Sequence, residues 1–183
     1  MIFLKNVITK QNMFEKSEPY TVFEGFQLHD VIEKTTPSIR ESVKDFWQRN
    51  NILPAEIDPE ERARQLAMVC LNSDGEIAGV STVYKGFLNG HGLTNGSPEP
   101  HIFFRTFIQP EDRVPYLVEK ITVSTYLALD AKPTMKRFQG MVIIPDNPKL
   151  LRPGLRKRFA KEKFEIIGKT QRGIDVYCRY FTQ

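Results

Sequence analysis

The sequence has little of several residue types on which particular classes of protein depend. Its 183 residues include only two cysteines, three histidines and one tryptophan. Cys70 and Cys178 lie far apart with no second ligand near either, which excludes a disulfide miniprotein, a redox pair and a zinc cluster. No two histidines have the spacing of metal ligands on one element. No apolar run approaches the ~20 residues that cross a bilayer, so no membrane-spanning segment is expected.

The overall amino-acid composition is that of a globular domain. Hydrophobic residues make up 40% of the chain and charged residues 26%, which is ordinary for a soluble protein. We expect one domain over residues 1–183, with 1–25 as a less regular lead-in. The opening stretch 1–5 is too short for the apolar core of a signal peptide, so we expect a cytoplasmic protein. The net charge of +4 does not by itself indicate nucleic acid.

The first half of the chain predicts two helices. Thr36 and Pro37 form a helix start, and the helix is expected to run to about Arg49. A second start at Asp58 resembles a capping box, and its short helix is expected to end near Leu66. The apolar stripe of the first helix consists of Ile39, Val43, Phe46 and Trp47. Before these helices, residues 22–26 are either a first strand or an irregular lead-in.

The remainder of the chain predicts strands joined by turns and two further helices. Strands are expected at 67–71, 76–84, 101–108, 138–144, 164–168 and 174–181, and both cysteines should be buried thiols within them. Turns are expected at 72–75 and 171–173, and a glycine- and proline-rich loop at 88–100. One helix should follow residue 109, and another should span 155–162. The unit from 101 to 144 should be a parallel crossover.

This element order and three local phrases resemble the GNAT acetyltransferase superfamily. The phrases are 72–83, 104–113, and Asn147 followed by 159–168, and the likeness covers about residues 30–183. The resemblance implies an α/β fold with a mixed central sheet flanked by helices, and transfer of an acetyl or other acyl group from acyl-CoA to an amine. It implies that acyl-CoA is held by Phe107, Ile108, Arg113, Val114, Tyr116, Leu117, Val118 and Asn147.

The sequence departs from the family where the CoA pyrophosphate would bind. The family pattern there is Gln/Arg-x-x-Gly-x-Gly/Ala, which aligns with residues 113–118. Arg113 is kept, but Tyr116 and Val118 replace the glycines that let phosphate approach the backbone, and Pro115 removes an amide donor. Glu111 and Asp112 add negative charge. Tyr116 either packs on the loop at the helix start or plugs the former pyrophosphate site.

No catalytic residue is assigned. In many family members a tyrosine of the last helix protonates the leaving thiolate, and the matching position here is Phe159, which has no hydroxyl. His101 is either a base in an acceptor pocket or a partly exposed edge residue, and Tyr84 either lines that pocket or belongs to the core. The glycines of 86–96 form either a mobile flap or a plain exposed loop.

Two functions of different classes follow from these observations. The first is an acyltransferase that acts on a small-molecule or peptide amine, in which a main-chain amide near Phe107 and Ile108 polarises the thioester. The second is a catalytically silent module with the same fold that binds a protein, a nucleic acid or another ligand. The basic segment 149–163, with seven basic residues and one acidic residue, could bind the nucleotide 3′-phosphate, meet nucleic acid, or be a solvated helix face. Exposed strand edges in the fold that this chain resembles often pair between subunits, which would give a homodimer.

Overall fold

The computed structural model describes residue 14 and residues 17–91, 100–145 and 153–182. These residues form one eight-stranded sheet in the order β1-β2-β3-β4-β5-β6-β8-β7. Only β5 and β6 pair in parallel, as the crossover from 101 to 144 predicted, and every other pair is antiparallel. The strands are β1 Thr21–Phe23, β2 Phe26–Asp30, β3 Leu66–Leu71, β4 Ile77–Gly86, β5 His101–Ile108, β6 Gly140–Ile143, β7 Glu165–Lys169 and β8 Asp175–Tyr180.

Helices cover both faces of this sheet. They are α1 Pro37–Arg49, α2 Pro59–Ala63, α3 Leu117–Asp130 and α4 Pro153–Lys161, and short 3-10 turns occur at Leu88–His91, Pro110–Asp112 and Pro133–Met135. The buried side chains of α1 and α2 share one apolar cluster with strands β3 and β4. Those of α3 and α4 share another with strands from β2 to β8. The predicted mixed α/β sheet flanked by helices is therefore confirmed.

Local sequence signals explain where α1 and α2 begin and end. The Thr36 side chain accepts a hydrogen bond from the Ile39 amide at 3.2 Å, and all four residues of the predicted stripe are buried. The Asp58 carboxylate likewise caps α2 by accepting from the Glu60 amide at 2.9 Å. The prediction that α2 reaches Leu66 is wrong, because Leu66 already pairs with Thr82 at the start of β3.

The N-terminal hairpin is a feature that the sequence did not predict. Residues 22–26 span the end of β1, a turn and the first residue of β2, and the turn consists of Glu24 and Gly25, which have φ angles of 47° and 85°. Glutamate is not a residue that favours the left-handed region, and β1 has only three residues. Neither the residues of the turn nor the three-residue length of β1 therefore indicated a hairpin in the sequence.

A buried hydroxyl pair fixes α3 against the sheet. The Thr125 hydroxyl donates to the Ile121 carbonyl at 2.8 Å and lies 2.9 Å from the Ser81 hydroxyl of β4. Because the single proton of Thr125 is used within the helix, Ser81 is the donor of the pair. This contact sets the position of α3 relative to β4 and β5, and hence where the first turn of α3 lies.

The cysteines are buried thiols inside strands, as predicted. Burial raises the pKa of Cys70 and of Cys178 to about 12, so both are inert at neutral pH. Within the described ranges, no helix has the length and apolar character needed to cross a bilayer. The same ranges contain no group of three or more histidine, cysteine or acidic side chains that could hold a metal ion.

Candidate functional site

Strands β5 and β6 separate halfway along β5. Their parallel ladder pairs Ile102 with Met141, Phe103 with Val142, and Phe104 with Ile143. The strand β5 continues to Ile108, but β6 ends at Ile143. In the part of the chain that the structure describes, no strand pairs with this side of β5 after Phe104. The sheet therefore contains a gap lined by the last four residues of β5.

The phase of the β4–β5 ladder decides which amides face the gap. The Gln109 amide donates to the Ala78 carbonyl at 2.9 Å, and Ile108 lies opposite Gly79. Because hydrogen-bonded positions alternate along an antiparallel pair, the amide of Phe107 points towards β4. Those of Thr106 and Ile108 point into the gap. Of the two amides named from the sequence, the one directed into the gap is that of Ile108.

Arg113 ties the following loop to the end of β5. Its Nε donates to the Ile108 carbonyl at 3.0 Å, and its guanidinium carbon lies 5.8 Å from the centre of the Phe107 ring. Phe107 in turn packs edge-on against Phe46 of α1 at 5.9 Å. The positive charge predicted to meet a phosphate therefore lies at the end of β5, beside the gap.

Three side chains connect the first turn of α3 to α4. Tyr116 immediately precedes α3 with a φ of 68°, and its side chain is 54% exposed. The guanidinium carbon of Arg158 in α4 lies 4.9 Å from the centre of the Tyr116 ring. The Nε of Arg158 is 3.4 Å from the Glu119 carboxylate, and both of these atoms are shielded from solvent. Tyr116 thus contacts α4.

The remaining predicted residues divide between the two faces of the sheet. Leu117 is fully buried in the cluster that contains Ile108, and Val114 and Val118 pack against it. Phe107 packs with the cluster on the opposite face, against α1. Asn147 lies outside the described residues. The structure therefore brings Ile108, Val114, Leu117 and Val118 together beside α3 and α4.

Acidic groups surround the start of α3. Glu111 and Asp112 occupy the 3-10 turn before it, and the Asp112 carboxylate accepts a hydrogen bond from the Gln109 side chain. Glu119 lies in the first turn of the helix, and Pro115 contributes no amide. A helix start normally favours an anion, but these carboxylates oppose that preference.

Phe159 of α4 belongs to the same buried apolar cluster as Ile108. Phe159 is buried and packs edge-on against Tyr177 at 5.1 Å. Its phenyl ring has no hydroxyl group, so it is not a proton donor. Burial, together with the neighbouring Asp175, raises the pKa of Tyr177.

Arg156, in the basic segment 149–163, forms an ion pair with the buried Asp175, as Arg158 does with Glu119. Both arginines are thus engaged by carboxylates, and residues 149–152 lie outside the described part.

Two other predicted residues lie elsewhere. His101 is 2% exposed, so the prediction of an exposed edge residue is wrong. It begins β5, seven residues and roughly 23 Å from Ile108 at the usual strand rise, so it does not line the gap. Tyr84 is half-buried and stacks on Phe103 at 5.3 Å. The loop residues 92–99 lie outside the described ranges.

Arg105 is a residue of this region that the sequence analysis missed. It lies in the second half of β5 with its side chain exposed, and its guanidinium carbon is 4.2 Å from the centre of the Tyr84 ring. A signal was present, because Arg105 is the only lysine, arginine or acidic residue in the mainly apolar and aromatic run 101–108.

Several solved structures resemble this chain in fold. No protein-family model and no curated protein matches the sequence. Among solved structures, ribosomal-protein-S5-alanine acetyltransferase from Vibrio fischeri matches with a TM-score of 0.56 and 12% identity, covering 89% of this chain and 97% of that one. NAA60 of Arabidopsis thaliana, solved with acetyl-CoA, matches with a TM-score of 0.54 and 9% identity, covering 85% and 98%.

A third structure agrees with these two. A GNAT-family acetyltransferase from Streptococcus pneumoniae matches with a TM-score of 0.55 and 11% identity, covering 86% of this chain and 99% of that one. The chain has the fold of the GNAT N-acetyltransferases, and the fold inferred from the sequence is confirmed.

Proposed function

We propose that this protein is an N-acyltransferase that moves an acetyl or other acyl group from acyl-CoA to the amine of a small molecule or peptide. The observation that carries the proposal is the gap after Phe104, into which the main-chain N–H of Ile108 is directed. This is a fixed donor on a rigid strand, where it needs no rearrangement to meet a carbonyl oxygen. Solved relatives in fold, such as Arabidopsis thaliana NAA60 with acetyl-CoA, support the choice of acyl donor.

The chain's own groups would act on the acyl carbonyl. Acyl-CoA supplies an activated thioester, and the Ile108 amide would donate a hydrogen bond to its carbonyl oxygen as negative charge develops there. Removing one such donor from an enzyme typically lowers kcat about 10²–10³-fold. The amine nitrogen forms the new C–N bond and loses a proton, while the C–S bond breaks and CoA leaves as the thiol. We assign neither proton transfer to a side chain.

The residues around the gap suit the pantetheine arm of acyl-CoA better than its pyrophosphate. The end of β5, where the Ile108 amide is directed into the gap, suits a pantetheine arm. The start of α3 suits a pyrophosphate less well, because Pro115 lacks an amide and Glu119 lies in the first turn. Arg113 is the residue that would meet the phosphates. Binding there would have to accommodate or displace the contact between Tyr116 and Arg158.

That same contact favours a second candidate function. A protein that had kept the fold but lost CoA binding would show an anion site bridged by side chains, as Tyr116, Glu119 and Arg158 bridge α3 and α4. Such a protein would be a catalytically silent module that binds a protein, a nucleic acid or another ligand.

The first test is the melting temperature with and without millimolar acetyl-CoA. A ligand at 100 times its Kd stabilises a protein by about 2.7 kcal/mol, and each kcal/mol shifts Tm by roughly 2–4 °C at this size. We expect a shift of several degrees, followed by release of free thiol when a panel of amines is added.

A double variant separates the two candidates if the wild type shows no shift. In Tyr116→Gly/Val118→Gly, a shift would mean that the acyl-CoA site exists and is covered in the wild type. No shift in either protein would refute the acyltransferase and leave the binding module. A shift without thiol release for any amine would identify a protein that binds acyl-CoA without turning it over.

A cytoplasmic location and a homodimer remain predictions. The strand β7 is one edge of the described sheet, and Ile166 on it is 49% exposed. Pairing of two β7 edges would give a symmetric dimer. Sedimentation velocity at micromolar concentration would detect it.

A further inference from the structure

A second site is suggested by charged groups on the sheet face that carries α1 and α2. Arg105 stands on this face, with its guanidinium stacked over the Tyr84 ring at 4.2 Å. Tyr84 is itself held by stacking on Phe103. The arginine side chain therefore lies over aromatic rings and is directed outwards. It is beside the point where β5 and β6 separate.

The fold brings Arg62 to the same place. It lies in the last turn of α2, directly before β3 begins at Leu66. Leu66 pairs with Thr82, and Thr82 pairs with Arg105, so the end of α2 lies level with Arg105 across β4. Burial lowers the pKa of Arg62 and the positive charge of Arg105 lowers it further, whereas the neighbouring Tyr84 and Glu61 raise it.

Neither guanidinium has a carboxylate partner. In the ranges that the structure describes, no carboxylate oxygen lies within the 4.0 Å ion-pair distance of Arg62 or Arg105. Arg40, Arg156 and Arg158, in contrast, each pair with a carboxylate. Two neighbouring cations that form no ion pair repel one another, and an anion placed between them relieves that repulsion. Guanidinium groups also match the planar geometry of oxyanions.

We propose that Arg62 and Arg105, beside the Tyr84 ring, form a binding site for an oxyanion, either a carboxylate or a phosphate, carried by the acceptor. Its assignment to the acceptor rests on the proposed acyltransferase function. Arg105 precedes Ile108 by three residues, or about 10 Å along the strand. The acceptor would therefore be an amine that also bears an acidic group, bound from the α1 and α2 face with its amine towards the gap.

The test measures anion binding in the absence of acyl-CoA. Inorganic phosphate and succinate are each titrated into the full chain, and the arginine Nε resonances are followed by NMR. Three variants are compared with the wild type: Arg105→Gln, Arg62→Gln and, as a matched control, Arg64→Gln, whose side chain is 73% exposed near the end of the same helix. We expect at least one anion to bind, with Kd weakened tenfold or more in the first two variants and unchanged in the control. The anion that binds more tightly identifies the acidic group.

The outcomes are distinguishable from those of the proposed function. No binding of either anion, or equal binding by wild type and both test variants, overturns the inference whatever acetyl-CoA does. A second outcome is that anion binding depends on Arg62 and Arg105 but acetyl-CoA does not change the melting temperature. That outcome supports the anion site and refutes only the acyltransferase. Because Arg105 is exposed, its variant should fold, and a melting temperature close to that of the wild type verifies this. If Arg62→Gln fails to fold, Arg105→Gln alone decides.

Discussion

Arg158 lies over the ring of Tyr116, with its guanidinium carbon 4.9 Å from the ring centre. The contact joins the residue that precedes α3 to a residue in the middle of α4. The first amides of a helix have no partner within the helix and are its natural anion site. In this chain an aromatic ring and the Glu119 carboxylate occupy the neighbourhood of those amides. The proposed binding of acyl-CoA therefore requires that this contact be accommodated or displaced.

Replacement of Tyr116 by glycine tests the contact directly. The φ of 68° is unfavourable for tyrosine by roughly 1–2 kcal/mol and costs glycine nothing in sterics. We therefore expect Tyr116→Gly to keep its stability despite the lost stacking, and to bind acetyl-CoA more tightly than wild type by calorimetry. Tyr116→Phe, which keeps the ring over Arg158, is the control and should behave like wild type. An equal Kd for all three proteins would mean that the contact does not restrict the site.

Arg113 should contribute to acyl-CoA binding if the alignment with the family pattern is correct. Arg113→Ala removes a positive charge and also releases the Ile108 carbonyl, which accepts from its Nε at 3.0 Å. A hydrogen bond to a charged group contributes about 1.5–3 kcal/mol, so acetyl-CoA should bind roughly 10- to 100-fold more weakly. Arg113→Lys should lose less, because it keeps the charge. An unchanged Kd in Arg113→Ala would refute the alignment.

Most of the fold could be predicted from local signals. Thr36 and Pro37 marked the start of α1, and Gly173, with a φ of 75°, supports the predicted turn between β7 and β8. The β1–β2 hairpin could not be predicted, because Glu24 takes a turn conformation that its side chain does not favour. The end of α2 was misplaced because pairing of Leu66 with Thr82 overrides the helical pattern.

The site was less accessible to sequence reasoning, because its properties arise from distant residues. The direction of the Ile108 amide depends on ladder phase, which no local pattern reveals. Tyr116 was recognised as a departure from the family, but its contact with Arg158 joins residues 42 positions apart. The neighbourhood of Arg62 and Arg105 likewise depends on three paired strands.

Gly140 should be indispensable for packing of β6 against β8. A Cβ at this position would overlap the Arg179 carbonyl oxygen and lie 2.8 Å from the Tyr180 Cα, and both of these are backbone atoms of the neighbouring strand. We expect Gly140→Ala to lower the free energy of unfolding by about 1–3 kcal/mol in urea denaturation. Gly154→Ala is the control, because nothing lies within 4 Å of its Cβ and it is the second residue of α4. That variant should be neutral or stabilised by up to ~1 kcal/mol, and equal losses in both would contradict the packing argument.

His29 should make the protein less stable in mild acid. It is 3% exposed, its ring stacks on Phe14 at 4.0 Å, and among the described residues neither ring nitrogen has a hydrogen-bond partner. Burial lowers the pKa of His29 below its ordinary 6.5. The unfolded chain therefore binds a proton more readily than the native protein, and this residue's contribution to stability is lost as pH falls below 6.5 towards the native pKa.

The measurement is urea denaturation of wild type and His29→Leu at pH 8 and at pH 5.5. The difference between the two proteins at pH 8 reports packing alone. At pH 5.5, one unit below the ordinary pKa, the wild type should have lost more stability than the variant, by up to about 1.4 kcal/mol in total. His29→Leu removes no hydrogen bond found among the described residues, so it should fold. Parallel losses in the two proteins would show that the imidazole is protonated equally well in the native and unfolded states.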